Sequence, residues 1–103
     1  MLNSLNLNTI TALTMFCVNF SDAMKKSSTM EQLHLLTRNT ASTLCEENHQ
    51  HGEIVDYLNP ILLAHDAHEA RAKMISLSMA LIAAAEHLDD GYYYRISDEL
   101  MRL

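Results

Sequence analysis

Glu46 and His49 sit three residues apart, the Glu-x-x-His spacing with which helical di-iron and di-manganese sites turn both side chains inward one turn apart. His65 and Glu69 are four apart, so on a helix they too could clamp a transition metal, with His68 beside them. Six histidines in 103 residues make a metal the first chemistry to weigh. Against it, di-metal bundles need a second Glu-x-x-His and two further glutamates at matching height, and the chain has no clean partner motif. No cysteines stand at zinc-finger spacing either. A metal-binding helical protein using Glu46, His49, His65 and Glu69 is therefore the alternative reading, and the expectation is no metal and no cofactor.

Other chemistries fare no better. Phosphotransfer at His65 or His68 is opposed by Glu69 directly after His68, which would repel a phosphoryl group. Cys17 falls on the apolar face of a helix, where a thiol acts as a small hydrophobe, and Cys45 is similar. A Cys45–His49 pair lacks a third group to orient it. Two glycines cannot build a phosphate loop. No catalytic residue is expected, and the chain reads as a non-enzyme.

Two glycines and one proline are too few for a β meander, while Ala, Leu, Met and Glu, all good helix formers, are abundant. The class this implies is all-α, a single domain over 1–103 folded as a small bundle of four or five helices. Net charge is −6, with 7 basic residues scattered among 13 acidic ones. Nucleic acid is disfavoured as a partner, and an acidic face could still meet a basic protein.

A first helix is expected from Asn8 or Thr9 to Lys25–Lys26, with Ile10, Leu13, Phe16, Cys17, Phe20 and Met24 on its inner face. Ser28 and Glu31 read as a capping box opening a second helix whose continuity over 29–51 is open near Asn39. Asn59-Pro60 reads as cap and first residue of a long central helix running to about Asp89, some 45 Å at ~1.5 Å per residue. Its seam is Leu63, Ala67, Ala70, Met74, Leu77, Leu81, Ala84 and Leu88; the opposite face carries His65, His68 and Glu69 early and Ile75, Met79, Ile82 and Ala83 late. After Asp89-Asp90-Gly91, a terminal helix is marked by Tyr93, Ile96, Leu100 and Leu103.

A helix apolar on both faces is either a bundle centre or a meeting surface. So short a chain has a limited core, so a homodimer is expected, with Ile75, Met79 and Ile82 in its interface. Tyr92 and Tyr94, of three consecutive tyrosines before Arg95, join them as candidate contact residues, since Tyr, Met and Arg are enriched at interfaces. The two cysteines would lie ~13 Å apart along a helical hairpin, beyond disulfide reach. Free thiols, no charged leader before Ile10–Phe20 and no apolar run of membrane length point to the cytoplasm and away from a membrane. The functional expectation is a regulator, inhibitor or adaptor working through protein–protein contact.

Overall fold

A computed structural model describes residues 7–47 and 51–103, with side chains over 7–45 and 56–103. The described residues form five helices, α1 (Leu7–Lys25), α2 (Met30–Glu47), α3 (His51–Leu62), α4 (Ala67–Ala85) and α5 (Asp90–Met101). They make an all-α bundle in which consecutive helices are neighbours, α5 closes back on α1, and α1 meets α4 across the middle. Among the described residues no helix is long and apolar enough to cross a membrane.

The α1 face is the one its periodicity requires. Ile10, Leu13, Phe16, Cys17 and Phe20 are buried, and the Phe16 and Phe20 rings pack tilted with centroids 5.6 Å apart. Ser27, at φ 60°, closes the helix: its amide donates to the Met24 carbonyl while the Ser28 amide donates to that of Ala23. This pair of bonds is a Schellman closure with serine where glycine is usual.

That closure moves the expected capping box by one residue. With its amide already donating to Ala23, Ser28 cannot receive the Glu31 carboxylate. Thr29 and Gln32 form the reciprocal pair instead, the Thr29 amide donating to Oε1 at 2.9 Å and the Gln32 amide to Oγ1 at 3.2 Å. α2 then runs unbroken to Glu47. The hydroxyls of Thr37 and Thr40 donate to the carbonyls four residues back, Leu33 and Leu36.

The long central helix of residues 60–89 is corrected to two. α3 ends at Leu62, and α4 starts after Asp66, whose carboxylate accepts from the Glu69 amide at 2.8 Å while the Glu69 carboxylate accepts from the His65 amide at 2.8 Å. Pro60 accordingly stands near the end of α3 and not at the start of a helix; it has no amide to donate to the carbonyl of Asp56, an exposed residue. A continuous rod of ~45 Å would outrun the 37 Å longest dimension of the molecule. Folding back at 63–66 instead buries Leu58 and Ile61 of α3 completely. The seam survives within α4, where Ala70, Met74, Leu77, Leu81 and Ala84 are buried, but Leu63, in the break, is 75% exposed.

α1, α3 and α5 cover α4 on three sides. The chain's accessible surface is 6140 Å², close to the ~5,900 Å² expected of a folded monomer of this mass. One chain therefore supplies its own core, and scarcity of helices gives no support to a dimer.

Candidate functional site

α4 keeps one side that no helix covers. His68, Ala72, Met79 and Glu86 are exposed there, and Ile75 and Ile82 half-buried. These six recur at steps of four and three, one line along a helix. Met79, at its centre, is 66% exposed. Local sequence sets where the line begins and ends: Asp66 caps the first turn, and Glu86 closes the last with its amide shared between the Ala83 and Ala84 carbonyls. From Met74 to Ala85 there is no charge, while Arg71 and Lys73 precede that stretch and Glu86, Asp89 and Asp90 follow it. The strip is uncharged along its middle, with Asp66 and Glu69 offsetting Arg71 and Lys73 before it and Glu86 at its far end.

Three of the five expected contact residues, Ile75, Met79 and Ile82, thus share this strip. Tyr92 and Tyr94 do not. They lie on α5, which is capped by Asp89, whose carboxylate accepts from the Tyr92 amide. Tyr93 packs against the core and its ring meets that of Tyr94 edge-on, centroids 5.5 Å apart, leaving Tyr94 67% exposed. Arg95 sits 5.8 Å over the Tyr92 ring. Met101, two turns beyond Tyr94 and 78% exposed, extends this second patch, and Asp98 pairs with Arg102 at 2.9 Å on the solvent side. His68, Ala72 and Glu86 went unread as contact residues; the four-and-three spacing around Met79 was the signal for them.

Only His65 and Glu69 of the metal alternative can be placed. The side chain of Glu46, and His49 altogether, lie outside the described residues. His65 precedes α4, so it and Glu69 are not a one-turn pair on a helix, and the Glu69 carboxylate holds the His65 amide. Among the described residues no three of His, Cys, Asp and Glu converge on a point that could hold a metal ion.

The cysteines differ in setting. Both are free, Cys17 buried and Cys45 half-buried. Burial pushes the Cys17 thiol up to about 12, away from the thiolate a nucleophile needs. Between α3 and α4 an open groove of about 310 Å³ is floored by Tyr57, Pro60, Leu77 and Ala80, with Asp56 and Lys73 among its walls.

No family model matches this chain, and no curated protein or solved structure matches it either.

Proposed function

We propose that this chain is a non-catalytic binding protein, a small regulator, inhibitor or adaptor, that works by presenting the outer face of α4 to another polypeptide. The observation that carries the reading is Met79, two-thirds exposed between the half-buried Ile75 and Ile82 on a helix whose other sides are already packed. A core helix gains nothing from large apolar groups on its wet side, whereas a contact surface does, and methionine adapts its shape to a partner. Tyr94 and Met101 on α5 offer a second, smaller apolar patch. The acidic charge and the lack of a basic stripe argue against nucleic acid. Two free thiols fit a reducing compartment, which favours the cytoplasm.

A photo-activatable residue placed at position 79, with a control at Arg38 on α2, tests this in cells of the source organism. A polypeptide adduct from position 79 that disappears with Ile75→Lys is the expected result. Absence of any adduct from 79, or equal labelling from 38, would overturn the reading.

A further inference from the structure

Resting on the reading of the α4 strip as a contact surface, we infer that the Met79 thioether is a redox-sensitive modification site, whose oxidation by a hydroperoxide switches that contact off and leaves the fold intact. Sulfur is unevenly exposed in this chain. Met79 is 66% exposed, whereas Met74, on the same helix, is 1% exposed and part of the core. Met101, the other highly exposed thioether, belongs to the separate patch on α5. Cys17 is buried, and Cys45 is half-buried on α2, which packs on α1 and α3 and away from the outer face of α4.

The reaction needs only the thioether and the peroxide. A sulfur lone pair attacks one peroxide oxygen, the sulfur–oxygen bond forms as the oxygen–oxygen bond breaks, and hydrogen peroxide leaves as water, with sulfur oxidised by two electrons. A sulfoxide reductase reverses the step: two thiols close to a disulfide and the oxygen departs as water. Where the sulfur sits decides the effect. At position 79 the new oxygen stays in water in the free chain, so folding bears no cost. In the contact it must be desolvated on a stretch without charge, between the half-buried Ile75 and Ile82, whose side chains offer it no donor. An unpaired polar group buried in this way weakens the contact by a factor on the order of 10 to 100.

Hydrogen peroxide treatment of the purified Cys45→Ser chain, read methionine by methionine by mass spectrometry, should convert Met79 roughly tenfold or more faster than Met74, in line with their exposures. Chains converted at Met79 and not at Met74 should keep the parent's unfolding midpoint. The contact is read by a photo-activatable residue at position 72, on the same strip, after removing peroxide and mixing with an extract of the source organism. Its polypeptide adduct should fall on the order of tenfold or more after oxidation, return with sulfoxide reductase, and persist through oxidation in Met79→Leu. Untreated Met79→Gln, whose amide stands in for the sulfoxide, should lose the adduct as well. Met74 converting as fast as Met79, a lowered midpoint, an adduct that outlasts conversion of Met79, a loss that Met79→Leu does not prevent, or a full adduct from Met79→Gln would overturn the inference and leave the contact-surface reading standing. No adduct from untreated chains at either 72 or 79 removes both.

Discussion

Replacing Asp66 by alanine tests what divides α3 from α4. In the native turn the Asp66 carboxylate holds the Glu69 amide and the Glu69 carboxylate returns to the His65 amide, both at 2.8 Å. Losing an N-cap costs about 1 kcal/mol, within a range of roughly 0.5–2, and the return bond from Glu69 is weakened with it, so the loss should be about 1–2 kcal/mol. At ~2.1 cal/mol/K per residue the unfolding entropy of 103 residues is about 0.2 kcal/mol/K, so Tm should fall by roughly 5–9 °C. The variant also creates a run of good helix formers from Ile61 to Ala70, which by local propensity alone would join the two helices. Joining them would expose Leu58 and Ile61, each fully buried and worth about 1.5–3 kcal/mol, so packing should keep the turn and helicity should not rise. Thermal unfolding followed by circular dichroism reads both quantities, with Asp66→Ser, another good cap, as the control expected to retain most of the stability. An alanine variant as stable as the parent, or one with stronger helical ellipticity, would refute the account of the break.

Ser27→Gly should raise Tm: a side chain at φ 60° costs about 1–2 kcal/mol, glycine's extra unfolded-state freedom returns about 0.5–1, and the difference corresponds to roughly 2–5 °C by calorimetry. Cys17 predicts a pH dependence. Its thiol is held protonated to about 12 in the fold against an ordinary 9.0, so its stabilisation is intact below pH 9 and declines as pH rises from there toward 12, by about 1.4 kcal/mol per unit. The stability gap between parent and Cys17→Ala in urea titrations should therefore be constant from pH 7 to 8.5 and narrow above 9. Tyr93→Ala, removing a ring packed on the core, should cost about 1–3 kcal/mol, while Tyr94→Ala, 67% exposed, should stay within about 0.5 in the same assay.

The periodic helices were legible because burial follows their spacing. The inner face of α1, the seam of α4 and the terminal helix all lie where their apolar residues recur. Two boundaries were not legible, each for a local reason. Ser28-Thr29-Met30-Glu31-Gln32 contains two overlapping capping boxes, and only the bond from the Ser28 amide to Ala23, a property of how α1 ends, decides for the second. Between Leu62 and Ala67 there is no glycine or proline to signal a stop. The signal present was Asp66 with Glu69, itself a capping pair, set inside a strong helical rhythm; Pro60, six residues before Asp66, invited a helix start instead. Of the candidate contact residues, Ile75, Met79 and Ile82 fall on one strip because their spacing is helical, whereas Tyr92 and Tyr94, adjacent in type and not in phase, fall on another helix.

Breaking the rod also changes what α4 is for. A single helix from 60 to 89 would need a second chain to cover it, and a dimer would then be a condition of folding. With α3 folded back, α1, α3 and α5 cover α4 and the monomer surface is ordinary for its mass, so folding and association separate. Ala70, Met74, Leu77, Leu81 and Ala84 belong to folding, Ile75 and Ile82 rest half-buried against the core, and Ala72 and Met79 are left to association. On this division a charge at 79 abolishes contact without loosening the core, while Leu81→Ala, on a fully buried residue of the opposite side, costs about 2–5 kcal/mol of stability. If Met79→Lys lowered the unfolding midpoint of dilute, monomeric protein as Leu81→Ala does, the two sides of α4 would not be separable, and the strip would be core.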